Sequence, residues 1–212
     1  MRAYLYSIFI CVFCIGALSG CTSGSMEDGL PLPDLTYQGI QPIPLNTSEI
    51  RIFNAYEPNN EDTARSDRVL RTEEVLYRYA ANRFRKAGNN GSLVMIIRDA
   101  SVNKTYKESE NAFIRAIGVD DGFHYTFTAV IDAVFSPYQN GRKVEARIRA
   151  ERTAFVPDHY SLDEKDQEFF KLVEKTISDM DAEIQRSFIN TFGIYKGPIN
   201  RLPLSSPEMG SK

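Results

Sequence analysis

FHYTFTAVIDAVF (Phe123–Phe135) and KVEARIRAERTAF (Lys143–Phe155) flank the dipeptide Asn140-Gly141. Apolar and polar residues alternate along both segments, which predicts two strands, each buried on one side. Asn-Gly tolerates the positive φ of a tight hairpin turn, so the two strands read as neighbours. A turn centred on Asn140-Gly141 sets Phe135 opposite Ala146, Ala133 opposite Ile148 and Ile131 opposite Ala150. Phe127 and Ala154 share that apolar face. The other face sets Asp132 opposite Arg149, beside Thr126, Thr128, Glu145, Arg147 and Glu151. Slipping one strand by a single residue would lay the apolar set against the charged set. The hairpin therefore predicts an antiparallel sheet with one greasy and one wet face.

Elements to cover the greasy face lie on either side of the hairpin. Downstream, Phe169, Val173, Ile177, Met180, Ile184, Phe188 and Phe192 recur every three or four residues, with Phe170 widening the stripe. They predict a helix over Leu162–Phe192, opened by a capping box of Ser161 and Glu164 after Pro157. At 1.5 Å per residue it runs about 45 Å, the length of the strands it would cover. Upstream, Val75, Leu76, Tyr79, Ala80 and Phe84 predict a helix over Thr72–Ala87, with Thr72 as cap and Gly88 as stop. Ile50 and Ile52 alternate with Glu49 and Arg51 in a short strand. Ser92–Val102 is apolar on both sides over Leu93–Ile97, as in a central strand. Lys104–Asp121 shows no clear period. The order is β-α-β-β-β-α: an α+β two-layer sandwich, a mostly antiparallel sheet with both helices on one face. The first helical region is rich in arginine (Arg68, Arg71, Arg78, Arg83) and the last in acid (Asp163, Glu168, Glu174, Asp179, Asp181, Glu183). Pairing between neighbouring helices is one use of that asymmetry, but surface ion pairs contribute under about 1 kcal/mol each, so both sets read first as solvated faces.

The chain opens differently. Arg2 precedes an apolar run from Tyr4 to Ala17, followed by Leu18-Ser19-Gly20-Cys21. The run is shorter than the about 20 residues needed to span a bilayer, and it has the parts of a secretory leader. Thr22–Thr47 carries Pro31, Pro33, Pro42 and Pro44 among small polar residues, the composition of an extended tether; ordered coil lying along the domain over Leu35–Leu45 is the alternative. The tail from Gly193 carries Pro198, Pro203 and Pro207. The predicted organisation is a leader at 1–20, a tether at 21–48, an α+β domain at 49–192 and a tail at 193–212. Cys11 and Cys14 lie in the leader and Cys21 follows it, so no other thiol remains for disulfides or Cys-ligated metal. The net charge is −3, with no basic excess of the kind that marks nucleic-acid binding.

The search for chemistry returns little. His124 falls on the wet face of a strand. Asp158-His159-Tyr160-Ser161 holds triad residue types, but they adjoin in sequence, and Ser161 is already assigned to the helix cap. Neither histidine has a partner at metal-ligand spacing. Asp120-Asp121 lacks the alternating ligands of a calcium loop. Asp132 and Glu151 would sit among arginines as ion pairs. No phosphate loop or dinucleotide fingerprint occurs. Trp is absent, so 13 Phe and 11 Tyr must supply the aromatic packing. The sequence predicts no catalytic residue, metal or cofactor.

Leu18-Ser19-Gly20-Cys21 resembles the lipobox of bacterial lipoprotein precursors. That resemblance implies cleavage before Cys21, lipid on its sulfur, and attachment to a membrane. Thr22 after the cysteine implies release to the outer membrane, with the domain on the periplasmic side. Asp99-Ala100-Ser101-Val102, and Val156-Pro157 running into Ser161-Leu162 and Phe169–Lys175, are similar to segments of uncharacterised proteobacterial lipoproteins. The element order is loosely similar to envelope-assembly and transporter-auxiliary lipoproteins. The expectation is a non-enzymatic, lipid-anchored accessory protein that binds an envelope partner in a transport or assembly complex. An envelope hydrolase acting on peptidoglycan or lipid, and a small lipid- or glycan-binding lipoprotein, are the alternatives.

Overall fold

The computed structural model describes residues 35–58, 70–108, 121–137 and 141–204. The two long strands form as expected: β6 (Gly122–Ser136) pairs antiparallel with β7 (Val144–Pro157). Their register differs from the expected one by two residues. Phe135 faces Val144, Ala133 faces Ala146 and Ile131 faces Ile148. A slip of two keeps every side chain on its own face, so the apolar pattern cannot sense it. Phe127, Ala129, Ile131, Ala133, Phe135, Ile148 and Ala150 are buried on one side, as the alternation requires. Gly141 is described, but the rest of the turn at 138–140 is outside the described residues.

β4 (Ser92–Asp99) and β5 (Val102–Lys107) lie end to end along the other edge of β6. A bulge between Ile97 and Asp99 separates them. It reverses the parity of burial: Leu93, Met95 and Ile97 are buried before it, Ala100 and Val102 after it. Lys104–Lys107 of the stretch without a clear period is thus strand, while 109–120 lies outside the described residues. β2 (Glu49–Asn54) pairs parallel with β4 and closes the sheet on that side. The expected order gains three strands: β5 and a small parallel pair, β1 (Ile43–Leu45) with β3 (Phe84–Lys86).

Both helices pack on the apolar face. α2 (Leu162–Asn190) covers β6 and β7, and its expected stripe is buried throughout. Its capping box is present: Ser161 Oγ accepts from the Glu164 N–H, and the Glu164 carboxylate accepts from the Ser161 N–H at 2.8 Å. α1 (Thr72–Arg83) covers β2 and β4 and stops earlier than expected. Phe84 leaves the helix in extended conformation because β3 pairs with β1. Gly88 therefore does not stop a helix. A Cβ there would lie 2.0 Å from Asn46 Oδ1, so glycine permits the close approach of two chain segments. Thr72 is not the cap either. Arg71 holds that place without a side-chain capping bond, and Thr72 Oγ1 donates to Ala100 O at 2.6 Å.

The expected tether and tail are partly folded. Leu35, Ile43, Leu45 and Thr47 are buried from the N-terminal side, and Ile194, Tyr195 and Leu202 from the C-terminal side. Asn46 N–H donates to Ile194 O at 2.7 Å, joining the two segments. A run of tilted and edge-on rings replaces the missing tryptophan. It passes from Tyr37 through Tyr79, Phe84, Phe188 and Phe192 to Phe135, with centroids 5.1 to 6.2 Å apart. These rings connect the N-terminal segment, α1, β3, α2 and β6 in one core.

Candidate interaction face

The second face of the sheet carries no described helix or strand. Its even-numbered β6 residues and odd-numbered β7 residues lie on this face and form rows across the strands, with Thr128 and Val130 buried among them. In the first row Asp132 faces Arg147 and takes two bonds from it, at 2.7 and 3.1 Å. Arg98 of β4 donates to the same carboxylate at 2.9 Å. The expected partner Arg149 has moved by two positions and instead pairs with Glu151 of its own strand. Glu151 also accepts from Thr128 Oγ1 at 2.9 Å. Thr126 and Thr153 share a 2.8 Å hydrogen bond in the next row. At the far end His124 packs on Phe155, with ring centroids 5.2 Å apart.

These rows fix protonation. The Arg147 bonds hold the Asp132 carboxyl below its ordinary range, against partial burial, with Arg98 adding to the effect. The Arg149 bond, and then Thr128, do the same for Glu151. A carboxylate held ionised by arginine is a poor proton donor or acceptor near neutrality. The same rows present guanidinium, carboxylate and hydroxyl groups at fixed spacing, which suits contact with another protein. A shallow hollow of about 440 Å³ lies among Arg98, Asp132, Lys143, Glu145 and Arg147.

The other sequence candidates do not converge. His159 is exposed and stands edge-on to Tyr160. Asp158 is bound through its backbone, its N–H to Asp121 O and its carbonyl to Lys165 Nζ. Ser161 Oγ donates to Glu164 at 2.8 Å within the cap. Those bonds from Ser161 lower the Glu164 pKa. Among the described residues no group of three or more His, Cys, Asp or Glu could hold a metal ion. Asp120 and Cys21 lie outside the described residues. The tyrosines divide: Tyr79, Tyr125 and Tyr195 are buried, while Tyr77 and Tyr106 are each 45% exposed. Tyr106 packs on Phe123, and Lys104 Nζ sits 4.3 Å above the same ring.

One cluster went unread in the sequence. Asp181 and Arg83, expected on solvated faces, form an ion pair with side chains 0% and 4% exposed. Arg83 Nε and Nη2 donate to the two Asp181 oxygens at 2.9 and 3.0 Å. Tyr79 and Gln185 donate to them as well, at 2.8 and 2.7 Å. The guanidinium also reaches Gln41 O and Asn200 O, at 2.8 and 2.6 Å. One side chain thus fastens both terminal segments to both helices. Burial, and then the charge of Asp181, hold the Tyr79 hydroxyl protonated well above its usual pKa. The available signal was Arg83 one turn after Tyr79, and Asp181 directly after Met180 in the apolar stripe. Tyr37 adds a local anomaly. Its φ is +53, and its buried hydroxyl has no hydrogen-bond partner among the described residues. Burial, with Glu174 and Asp181 nearby, raises its pKa.

No family model and no curated protein matches the chain. Among solved structures, a minor lipoprotein from Acinetobacter baumannii is similar over 73% of this chain and 99% of its own, at 13% identity and a TM-score of 0.36. Rare lipoprotein B from Shewanella oneidensis is similar over 68% of this chain and 93% of its own, at 10% identity and a TM-score of 0.34. Similarity at this level carries no inference about activity or partner.

Proposed function

We propose that this chain is a lipid-anchored accessory protein of the bacterial cell envelope, working by protein–protein contact. Cys21 carries the lipid, and the residues between it and Leu35 hold the domain near the membrane. The domain faces the periplasm from the outer membrane and supports a transport or assembly complex. The carrying observation is the division of the sheet: one face is filled by core, and the other displays paired charges with no described element over it. Contact is favoured over hydrolysis because the hydroxyl and carboxylates with the best claim to chemistry already serve as cap or ion pairs. Lipid attachment suits such a role, since each buried CH₂ contributes about 0.8 kcal/mol and several chains make residence effectively permanent.

The anchor is tested by growing cells expressing the full chain with radiolabelled palmitate. The wild-type chain should be labelled and fractionate with membranes. Cys21→Ser should lose the label and retain the leader. A chain without label, or a Cys21→Ser chain processed and fractionated as wild type, would overturn the anchoring.

A further inference from the structure

Among the described strands β7 pairs only with β6, so its other side is an edge. Which residues face that edge follows from one hydrogen bond. The Thr128 N–H donates to Ser101 O, so even-numbered β6 residues direct their backbone groups away from β7. Odd-numbered β6 residues bond β7, and in the observed register their partners are the even-numbered β7 residues. Glu145, Arg147, Arg149, Glu151, Thr153 and Phe155 therefore turn their N–H and C=O groups outward. The same six side chains are exposed on the charged face.

This edge is complementary to itself. Around a two-fold axis normal to the sheet through Ala150, Arg149 meets Glu151 of a second copy, and Glu151 meets its Arg149. Arg147 meets Thr153, and Glu145 meets Phe155. On the core side Val144 meets Val156, Ala146 meets Ala154, and Ala150 meets its own equivalent. Ile148 meets the aliphatic stem of Arg152. The neighbouring registers fail. A shift of one residue matches outward backbone groups with inward ones. Moving the axis to Arg149 or Glu151 sets two like charges against each other on it. The Arg149–Glu151 pair already within each strand would join its copy as a closed square of alternating charge. A hollow of about 410 Å³ lies at the same three residues, between Arg149–Glu151 and Ser178, Asp179 and Arg186 of α2, and Arg152 pairs with Asp179 beside it.

We infer that β7 is the site of self-association: two copies join their edges antiparallel about Ala150, making one continuous sheet with a single charged face. This goes beyond the proposed function and does not depend on the lipid, so failure of palmitate labelling leaves it standing.

Charge variants of the full chain in mild detergent test it by sedimentation. Arg149→Glu alone places four carboxylates around the axis, and Glu151→Arg alone places four guanidinium groups there. Each should dissociate at least about tenfold more readily than wild type. An equimolar mixture of the two variants restores both opposite-charge contacts between chains, though neither chain regains its own Arg149–Glu151 pair. The mixture should sediment as a dimer with wild-type affinity. A misfolded variant would not be rescued by the other, and circular dichroism checks that each is folded. A monomeric wild-type chain, single variants as dimeric as wild type, or a mixture of folded variants that stays monomeric would each overturn the inference.

Discussion

Asp181→Ala tests the buried cluster most severely. The wild-type carboxylate accepts four hydrogen bonds in a site with no exposure. Its loss leaves the Arg83 guanidinium buried and without a counter-charge, which costs about 3–5 kcal/mol. The Tyr79 hydroxyl also loses its acceptor, at about 1–3 kcal/mol. The two losses share one network and will not add in full, so at least about 3 kcal/mol is expected. Domains of this kind have about 5–15 kcal/mol in total. With a urea slope of about 2 kcal/mol per M, the unfolding midpoint should fall by at least about 1.5 M. The guanidinium also loses the partner that aims it at Gln41 and Asn200, so proteolysis of both terminal segments should accelerate. Replacing both charges, Arg83→Met with Asp181→Leu, should recover part of the loss, because no charge is then left buried. A midpoint shift below about 0.5 M for Asp181→Ala, with the slope unchanged, would refute the reasoning.

Tyr37→Phe removes a buried hydroxyl that has no partner among the described residues, so stability should hold or rise by up to about 1 kcal/mol in urea unfolding; a loss larger than that would mean the hydroxyl is bonded. Asp132 and Glu151 have folded pKa values below their unfolded ones. Their contribution is therefore complete above the unfolded values, about 4, and fades as the pH falls through the folded ones. Carboxyl-detected NMR titration should show both midpoints depressed, and Arg147→Ala should move that of Asp132 upward while leaving Glu151 in place. Ser161→Ala should cost about 1 kcal/mol through the lost cap of α2, read as a lower urea midpoint.

Periodicity made the two largest features legible. The α2 stripe and the two-faced hairpin repeat at 3.6 and 2 residues over long spans; burial follows the stripe throughout and the hairpin in the main, with Thr128 and Val130 buried on the charged face. The hairpin register was not legible. A two-residue slip keeps Ala133, Ile131 and Phe135 on the core face, so hydrophobicity is blind to it, and Asp132 finds an arginine in either register. β5 escaped because Asn103, Lys104, Thr105 and Lys107 carry no apolar signal, and the bulge inverts parity just before them. The prolines of the tether left its docking undecided between extended linker and ordered coil. Leu35, Ile43 and Leu45 are too widely spaced to show a period, and their burial depends on contacts far away in sequence. Arg83 and Asp181 looked like members of two charged surfaces, since their one local mark, placement one turn after Tyr79 and directly after Met180, is outweighed by the charged residues around them. Of the charged face, the composition was readable and the pairing was not.

Site-directed photo-crosslinking in intact cells tests most directly whether the open sheet face makes the functional contact. A photoreactive residue at position 98, on β4 and away from the β7 edge, reports that face without reporting self-pairing. One at position 175 reports an exposed site on α2. The expected result is a discrete adduct with another envelope protein from position 98 and none from position 175. No adduct from position 98, or the same adduct from both positions, would contradict it.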